Sequence, residues 1–512
     1  MSHEPLGILI DRWLRRHLLV PIALLVVACL ALTLPAAAAK PFWHDEIYTI
    51  LTSRLPSLAA MWRAALDGVD LSPPLNLWLT RAVHAVTGVG PIATRLPALA
   101  GFFLTVSIVF VILLRRAGPT AALAGALVPF FTAGLRYSYE ARPYGVMMGL
   151  SALAIYAWME AAGGRRRRLN LALLGAALAA SIWNHYFGVM AFAPVAGGEV
   201  VRTIQRRRLD WGVAAACALA LVAAAPLYPL ISVAADQGGT FWAQAAMAQP
   251  AEAYRYVLNA LLTTPIAAAA TAIALIIGFA ALLRTGAADR SRRIPAHEVV
   301  AVATAVAIPL LALLAGRLVT GVFVPRYGLG AVAGASLAVP LLVWRLNVRR
   351  GPAELVLCGT LLWVVGASVL ATAQRPQPVM PDPVAARPVF LSSLRSPGPT
   401  VVSSSLQFAQ LWYYTPPEFQ TRLRYLADPD QALERTGADT IDRGYLALAR
   451  WRRIPVEPYG RFVADYPDFR VYESGSGWLL DKLADSGASI EEIASEPGGR
   501  LYQVRMPAGA RP

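Results

Sequence analysis

Apolar residues in this sequence are gathered into long runs, most of which are nearly free of charge. A helix needs about 20 apolar residues to cross a membrane, and most of these runs reach or approach that length. We therefore predict an α-helical polytopic membrane protein with about eleven transmembrane helices. The predicted spans cover residues 18–38, 92–114, 119–135, 144–162, 169–183, 187–201, 211–231, 256–283, 298–318, 328–344 and 353–372.

Clusters of arginine alternate with polar and aromatic segments in the connections between these runs. The positive-inside rule assigns the arginine clusters, such as Arg165–Arg168, to the cytoplasm. The N-terminus, which carries Arg12, Arg15 and Arg16, is then cytoplasmic. A long first loop (about 40–91) and the C-terminal end of the chain then lie on the periplasmic, or extracytoplasmic, side of the inner membrane.

The composition changes after about residue 373, where the predicted transmembrane domain (1–373) ends. Residues 374–399 are rich in proline and are predicted to be a linker. Residues 400–512 alternate between strand and helix patterns, which is typical of a small α/β domain. Strands are expected at 400–403, 422–426, 469–473 and 500–505, and helices at 407–414 and 478–486.

Composition excludes a soluble protein. Only 15% of the residues are charged and 56% are hydrophobic, whereas a soluble globular chain has about a quarter charged residues. The formal net charge of +15 would indicate nucleic acid in a soluble protein. Here the arginines lie between apolar runs, so we expect membrane lipids and no nucleic acid as partners. The three cysteines fall inside apolar runs, which argues against a disulfide framework or a cysteine metal site.

Two adjacent carboxylates, Asp45 and Glu46, follow the first span within the segment 43–48. Carboxylates at the membrane face are costly to desolvate and do nothing for insertion. Their functional interpretation is a general base, with or without a divalent cation. The alternative is a solvated interfacial loop, where acidic residues are common.

Other polar residues fall on the same predicted side of the membrane. Glu140 and Arg142 project from a turn between two spans, and arginine suits bidentate binding of phosphate. A structural Glu–Arg pair is the alternative.

Arg326 opens a span and could bind phosphate or simply extend along the membrane surface. His185 is a lone histidine between two spans, and a histidine of this kind is more often a capped interfacial residue than a catalyst. Some of the outer-side arginines of the first loop could attract an anionic ligand: Arg54, Arg63, Arg81 and Arg95.

Four segments occur in a fixed order along the first 150 residues. They are Trp43–Tyr48, Ser72-Pro73-Pro74-Leu75, Arg95-Leu96-Pro97 and Tyr139-Glu140-Ala141-Arg142-Pro143-Tyr144. In this order they resemble bacterial membrane glycosyltransferases of the GT-C fold, relatives of the dolichyl-phosphate-mannose protein mannosyltransferases and lipid A aminoarabinose transferases. The resemblance is good over residues 40–150 and weakens towards 330. Many relatives have His-Pro-Pro where this chain has Ser72-Pro73-Pro74, so a role for that His cannot be assumed here.

The resemblance implies a donor in which a sugar is linked to polyprenyl phosphate and an acceptor that is a lipid, a glycan or a protein. It implies that Asp45, beside Glu46, is the general base. Glu140 is then the second acid, which orients the acceptor or helps to bind a metal.

The donor phosphate is expected at Arg142, Arg326 and Tyr327, because guanidinium groups stabilise the charge of a departing phosphate. The remaining candidates for substrate binding are Tyr139, Tyr144, His185 and Tyr186.

We expect no obligatory cofactor, because Arg142 and Arg326 can neutralise the phosphate. If Mg²⁺ or Mn²⁺ is bound, its oxygen ligands would be Asp45, Glu46 and Glu140. The favoured activity is that of a hexosyl or pentosyl transferase. The alternative is a lipid or polysaccharide flippase or another envelope transporter, but transporters place polar residues near the bilayer midplane, where these spans have almost none. A third interpretation is a scaffold whose C-terminal domain recruits partners.

Overall fold

The computed structural model describes residues 6–258, 269, 272, 294–346, 353–374, 380–475 and 477–507 of the chain. Contacts divide the chain into two compact units. The first unit comprises residues 1–38, 92–228 and 245–378, and the second comprises residues 39–91, 229–244 and 379–512. The first loop is thus grouped by its contacts with the C-terminal part of the chain. Most of the predicted eighth span, 256–283, lies outside the described residues.

Helices dominate the described residues and are numbered here in chain order. They are α1 (Leu6–Arg16), α2 (Leu19–Ala39), α3 (His44–Ser53), α4 (Leu58–Leu66), α5 (Leu75–Thr87), α6 (Pro91–Arg116), α7 (Pro119–Leu127), α8 (Ala133–Ser138), α9 (Tyr144–Ala162), α10 (Arg167–Asn184), α11 (Phe192–Arg206), α12 (Trp211–Ala224), α13 (Tyr228–Asp236), α14 (Pro250–Val257), α15 (Ala296–Val306), α16 (Ile308–Ala315), α17 (Ala331–Leu346), α18 (Ala353–Ala373), α19 (Pro388–Arg395), α20 (Ser405–Tyr414), α21 (Pro417–Gln420), α22 (Pro429–Thr436), α23 (Thr440–Trp451), α24 (Tyr459–Asp465) and α25 (Leu479–Asp485). Short 3₁₀ turns cover Val128–Phe131, Tyr186–Ala191, Ala225–Leu227, Gly238–Thr240, Ala245–Met247 and Pro325–Gly328, and a π-helical turn covers Gly316–Thr320.

Several helical segments are long and apolar enough to cross a membrane. Among the described residues there are six: Leu19–Ala39, Pro91–Arg116, Tyr144–Ala162, Tyr186–Arg206, Trp211–Thr240 and Ala353–Ala373. A seventh forms if α15 is joined to residues 308–320, with a bend of 57° between them. Pro309 lies in the first turn of α16 and cannot donate a backbone hydrogen bond to α15, which accounts for the break. The chain is a multi-pass membrane protein, and the predicted number of crossings stays a prediction.

Helices α6 and α9 pack with their backbones in direct contact. A Cβ atom added to Gly145 would lie 2.4 Å from the carbonyl oxygen of Ala98, and one added to Gly149 would lie 2.6 Å from that of Gly101. Glycines four residues apart allow this close approach between membrane helices. Because α9 begins at Tyr144, the contact also fixes the position of the preceding turn, residues 139–143.

Arginines of the clusters in the first unit form ion pairs with buried carboxylates. Arg202 is 5% exposed, and its Nη1 lies 3.0 Å from Glu199 Oε1 and 2.7 Å from Asp210 Oδ2. Arg167 pairs with the other oxygen of Asp210 at 2.5 Å. The same carboxylate caps α12 by accepting from the backbone N–H groups of Gly212 and Val213. These arginines therefore also hold helix ends together.

The second unit contains a six-stranded mixed sheet. Its strands are β1 (Thr400–Val402), β2 (Leu423–Ala427), β3 (Val456–Pro458), β4 (Asp468–Glu473), β5 (Ser489–Glu496) and β6 (Gly499–Arg505), in the order β3-β2-β1-β4-β6-β5. Strands β3, β2, β1 and β4 are parallel to one another, and β6 is antiparallel to both β4 and β5. In the central register Val401 lies opposite Val471, and both side chains are fully buried. This burial explains the apolar strand patterns of the tail.

The second unit has more elements than the tail sequence predicts. Strands β3 and β5 and helices α22 to α24 were not predicted. Helix α19 lies inside the predicted linker, with Phe390 and Leu394 fully buried. Helix α22 shows why such an element forms: Asp428 accepts the backbone N–H of Gln431, and the helix ends at Gly437 in the left-handed conformation.

Helices α3, α4 and α5 occupy the first loop. Ile47 and Ile50 of α3 are fully buried in the same apolar cluster as Phe408 of α20 and Tyr445 of α23. Arg81 of α5 donates to the carbonyl groups of residues 53, 55 and 56 at the C-terminal end of α3. A cation there satisfies carbonyl groups that have no partner within the helix. Arg81 is thus a structural residue, although the sequence also allowed an anion-binding role.

Candidate active site

The carboxylate segment begins helix α3 in the second unit. Trp43 is extended (φ −105°, ψ 174°), and Asp45 and Glu46 lie in the first helical turn. Negative side chains at this end are stabilised by the helix dipole. His44 Nδ1 lies 3.1 Å from Asp45 Oδ1. Glu46 is fully buried, with Lys40 Nζ 3.5 Å from its Oε2. Asp45 is the more exposed of the two acids, as a group that receives a proton from a substrate must be.

Aromatic rings lie behind this turn. The ring of His44 lies 4.8 Å from that of Tyr48 and 5.6 Å from that of Tyr445, measured between centroids. Burial, followed by the neighbouring Tyr445 and three nearby aspartates, raises the pKa of Tyr48 well above its ordinary value. Tyr48 therefore stays a neutral phenol.

Helix α20 of the tail holds the backbone just before Asp45. The hydroxyl of Tyr414 accepts the N–H of Phe42 at 2.8 Å, and the Nε2 of Gln410 donates to the carbonyl of Phe42 at 2.9 Å. Both backbone groups of one residue are thus bound by side chains from the other end of the chain. We call this pair of bonds the Phe42 clamp. The tail therefore fixes the segment that carries the predicted base.

The first unit contains the second group of candidate residues, in the turn between α8 and α9. Glu140 is 2% exposed, and its Oε1 lies 3.4 Å from Nε of Arg136. The backbone N–H of Arg142 donates to the carbonyl of Glu140 at 2.7 Å, which tightens the turn. A Glu–Arg pair, which the sequence allowed between Glu140 and Arg142, is seen here between Glu140 and Arg136.

Arg326 is joined to this group through Tyr144. Its Nε donates to the hydroxyl of Tyr144 at 2.7 Å, and its guanidinium carbon lies 5.5 Å from the centroid of the same ring. Tyr327 follows in the same 3₁₀ turn, with its ring stacked 4.7 Å from that of Phe187. Tyr144 thus holds the guanidinium group of the half-buried Arg326 in place.

His185 lies at the centre of the cluster. Its ring is 5.6 Å from that of Tyr144 and 4.8 Å from that of Tyr327. Burial, and then the charges of Arg142 and Arg326, lower its pKa to about 3, so the imidazole is neutral at neutral pH. The N–H of Phe187 donates to Nδ1, which leaves the proton on Nε2. A neutral N–H donor is therefore buried within reach of the charges of two guanidinium groups.

The structure thus brings together Glu140, Arg142, Tyr144, His185, Arg326 and Tyr327 in the first unit. Tyr139 and Tyr186 are half-buried at the edges of the same segments, and Asp45 and Glu46 belong to the second unit. Arg95, named from sequence as a candidate anion ligand, is fully buried and donates to the carbonyl of Ala37 at 2.5 Å. Arg95 thus binds a carbonyl group in the last turn of α2.

Several residues of these sites were not found from the sequence. Asn184 is fully buried and donates to the carbonyl of Pro143 at 2.8 Å, which attaches the end of α10 to the turn before α9. Tyr256 shares a hydrogen bond with the hydroxyl of Tyr137. Lys40 lies five residues before Asp45 and Asn184 adjoins His185, so their nearness in sequence to candidate residues could have pointed to them. Gln410 and Tyr414 lie far from every candidate residue in the sequence, which gave no indication of their role.

The described residues contain no group of three or more His, Cys, Asp or Glu side chains placed to hold a metal ion. Of the three carboxylates named as metal ligands, Glu46 and Glu140 are each close to a basic side chain, Lys40 and Arg136. Such pairing competes with a cation for the carboxylate oxygens.

Comparison with known families supports the resemblance. Residues 72–230 match the family described as dolichyl-phosphate-mannose-protein mannosyltransferase. The matched range contains the 139–144 turn, the first-unit helices α6 to α12 and His185. The resemblance to the GT-C mannosyltransferases and aminoarabinose transferases is therefore confirmed. No curated protein sequence matches this chain.

Solved structures extend the likeness over the whole chain. The crystal structure of ArnT from Cupriavidus metallidurans in the apo state superposes with a TM-score of 0.56 at 13% identity, covering 96% of this chain and 98% of that one. The structure of the same protein bound to undecaprenyl phosphate gives the same TM-score and identity, covering 96% and 99%. At this identity the likeness shows a common fold.

Proposed function

We propose that this chain, a multi-pass relative of the GT-C membrane glycosyltransferases, moves a sugar from a polyprenyl-phosphate donor to an acceptor at the extracytoplasmic face of the inner membrane. The observation that carries the proposal is the first-unit cluster, in which Tyr144 contacts both Arg326 and His185 and the charges of Arg142 and Arg326 act on the buried, neutral imidazole. Two guanidinium groups and an N–H donor suit a phosphate group. The fold shared with a protein solved with undecaprenyl phosphate supports the same donor.

The reaction is a displacement at the anomeric carbon of the donor sugar. The acceptor oxygen forms a bond to that carbon, and the bond from the carbon to the phosphate oxygen breaks. The phosphate leaves with the electron pair, and Arg142 and Arg326 stabilise its charge. The acceptor proton passes to the carboxylate of Asp45. Glu140 orients the acceptor, and Tyr139 and Tyr186 complete the sugar-binding surface.

No metal is required in this proposal, because the two arginines neutralise the phosphate. Lys40 and Arg136 already lie beside two of the carboxylates that a cation would need. Transfer should therefore continue in EDTA. Loss of transfer in the chelator, with recovery on adding Mn²⁺, would overturn this part of the proposal.

A deletion strain tests the activity whatever the identity of the sugar. Complementation with the intact gene should consume the polyprenyl-phosphate sugar, whereas Asp45→Asn should let the donor accumulate, as mass spectrometry of lipid extracts would show. Asp430→Asn is the matched control, because Asp430 is an exposed carboxylate of α22. Normal consumption of donor in the Asp45→Asn strain, with the variant present in the membrane, would remove Asp45 as the base.

Purified protein separates donor binding from transfer. Arg142→Gln and Arg326→Gln should each weaken binding of undecaprenyl phosphate at least tenfold, while Asp45→Asn should leave it unchanged. The rival function, a lipid flippase, predicts movement of a labelled lipid across vesicles without sugar transfer. That result would favour a lipid flippase over a glycosyltransferase.

A further inference from the structure

Two arginine-rich turns of the first unit, residues 163–168 and 206–210, lie side by side, and we call them the paired turns. They span the connections from α9 to α10 and from α11 to α12. Asp210 joins them, because its Oδ1 lies 2.5 Å from Nη2 of Arg167 and its Oδ2 lies 2.7 Å from Nη1 of Arg202. The paired turns therefore form one continuous surface.

Several arginines of this surface are exposed and have no counter-charge. Within the described residues, the side chains of five of them form no ion pair and no hydrogen bond: Arg166, Arg168, Arg206, Arg207 and Arg208. The acids of the adjoining helix ends are already engaged, Glu160 with Arg115 at 2.6 Å and Glu199 with Arg202 at 3.0 Å. Gathering cations without acids costs free energy, and an anion bound from outside the protein would recover that cost.

Two of these arginines are held in an unfavourable backbone conformation. Arg166 has φ 39° and ψ 43°, and Arg207 has φ 53° and ψ 29°. In the part of the chain that the structure describes, they are the two residues other than glycine with a positive φ. Glycine adopts this left-handed conformation with less strain, and Gly164 does so in the same turn.

This strain separates the paired turns from ordinary topogenic clusters. The positive-inside rule accounts for arginine anywhere in a connection between spans. It does not account for arginine at two positions that favour glycine. Residues in such conformations are concentrated at functional sites, so the side chains of Arg166 and Arg207 are expected to have a task that glycine cannot perform.

Exposed apolar side chains adjoin the free arginines. Leu169 directly follows Arg168 and is 52% exposed, and Trp211 directly follows Asp210 and is 76% exposed. Tryptophan on the surface of a membrane protein is enriched at the boundary between hydrocarbon chains and headgroups. The free guanidinium groups are therefore expected at the depth of the lipid phosphates, which favours a lipid headgroup over a soluble anion.

We propose that the paired turns bind an anionic phospholipid, and that they prefer one with two phosphate groups, such as cardiolipin. Arg166 and Arg168 bind one phosphate, and Arg206–Arg208 bind the other. Two groups of free guanidinium, held together through Asp210, suit a headgroup with two charges better than a headgroup with one. Basic pockets between membrane helices on the cytoplasmic side bind such headgroups. The site is independent of the proposed glycosyltransferase function, because no candidate active-site residue belongs to the paired turns.

Binding is tested on the full-length protein, freed of lipid in a non-ionic detergent and titrated with single lipids in native mass spectrometry. Cardiolipin should bind at least tenfold more tightly than phosphatidylcholine and at least threefold more tightly than phosphatidylglycerol. Arg166→Gln combined with Arg207→Gln should weaken cardiolipin binding at least tenfold. Arg15→Gln combined with Arg16→Gln is the matched control, because it removes the same charge at exposed positions of α1. The control should change the affinity less than twofold.

Glycine at the same two positions separates ligand binding from a structural role. Arg166→Gly combined with Arg207→Gly removes both side chains and leaves a residue that suits the left-handed conformation. This variant should lose cardiolipin affinity at least tenfold, while its melting temperature without added lipid equals or exceeds that of the wild type. A lower melting temperature without lipid would show that the two arginines serve the fold instead.

Other outcomes would each contradict one stated feature of the site. Equal affinity for phosphatidylcholine would exclude an anionic lipid, and equal affinity for phosphatidylglycerol would remove the preference for two phosphates. Displacement of cardiolipin by an equal concentration of inorganic pyrophosphate would assign the paired turns to a soluble anion. An equal loss of affinity in the α1 control would show general attraction by positive charge. Unchanged cardiolipin affinity in both variants of Arg166 and Arg207 would place the lipid elsewhere.

Discussion

The imidazole of His185 shows how a residue in a functional cluster can be excluded as a titrating catalyst. Its pKa of about 3 lies far below the value of about 6.5 for an unperturbed histidine. The unfolded chain therefore binds a proton that the folded chain rejects between these two values. Stability contributed by the neutral ring is fully present above pH 6.5 and is lost as the pH falls towards 3.

We expect His185→Gln to leave the shape of the pH–rate profile between pH 5 and 8 unchanged, since the ring stays neutral there. The same variant should lose less thermal stability than the wild type between pH 7 and 5. His17→Gln is the control, because His17 is exposed. Melting curves and initial rates at several pH values measure both effects. A shift of the acid limb in His185→Gln would show that the ring titrates in that range.

Arg202 is the residue on which the buried charges of the first unit depend. Its replacement by alanine leaves Glu199 and Asp210 without their shared partner, which should cost about 3–5 kcal/mol of the free energy of unfolding. Arg206→Ala, at an exposed position in the same helix, should change stability by less than about 0.5 kcal/mol. Equal melting temperatures for Arg202→Ala and the wild type would show that Arg202 does not stabilise the fold through these ion pairs.

Sequence could indicate the chemistry of single residues but not their partners. Asp45, Arg142 and Arg326 stood out because charge at a membrane face needs a reason. Glu140 pairs with Arg136, one helical turn earlier, and nothing in the sequence pointed to Arg136. Arg81 and Arg95 resembled ligand residues, but both bind carbonyl groups at helix ends. Such contacts depend on which helix ends meet, and that is settled by tertiary packing.

At the scale of elements, the contact between α6 and α9 places the 139–143 turn. Gly145→Ala adds a methyl group 2.4 Å from the carbonyl oxygen of Ala98, so the backbones must separate. Overpacking of this kind costs about 1–3 kcal/mol. A displacement of about 1 Å at Arg142 could lower the rate about 100-fold. Transfer rate and melting temperature should both fall.

Gly366→Ala is the matched control for that change. Gly366 lies inside α18, and no atom of the described residues lies within 4 Å of a Cβ atom added there. Alanine should be tolerated or should stabilise the helix by up to about 1 kcal/mol. If Gly145→Ala behaves like Gly366→Ala, the close contact does not position the turn.

The Phe42 clamp is a second contact between elements that should affect activity. Gln410→Ala combined with Tyr414→Phe removes both of its hydrogen bonds. We expect kcat to fall at least tenfold, with undecaprenyl phosphate binding unchanged, because the segment before Asp45 loses its fixed position. Gln407→Ala, on the same helix but bound to Arg387, should have little effect on kcat. A rise in KM alone would contradict a role in positioning.

The helices and strands were largely predictable where the hydrophobic pattern alone determines them. The spans predicted at 92–114 and 144–162 coincide with α6 and α9. The span at 298–318 is broken by Pro309, which hydropathy does not detect. In the tail, β5 was missed because its side chains alternate between exposed and half-buried, and an antiparallel edge strand of this kind carries little apolar signal.

For the whole molecule, orientation in the membrane is the prediction with the widest consequences. In a chain without native cysteines, Arg165→Cys should react with an impermeant thiol reagent only after the membrane is opened, because the arginine clusters belong in the cytoplasm. Glu491→Cys, exposed on β5, should react in intact spheroplasts. The reverse labelling pattern would invert the predicted topology.

The Phe42 clamp also sets an order of events in the life of each molecule. Phe42 is among the first tenth of the residues to be synthesised, whereas Gln410 is made 368 residues later. At roughly 5–20 residues per second, the segment before Asp45 exists for about 20–70 s before its support is made. Every nascent chain therefore passes through a stage in which the carboxylate is present but unsupported. We expect chains arrested between residues 373 and 410, which already contain Arg142 and Arg326, to bind donor lipid without transferring its sugar, so that activity begins only when synthesis is nearly complete.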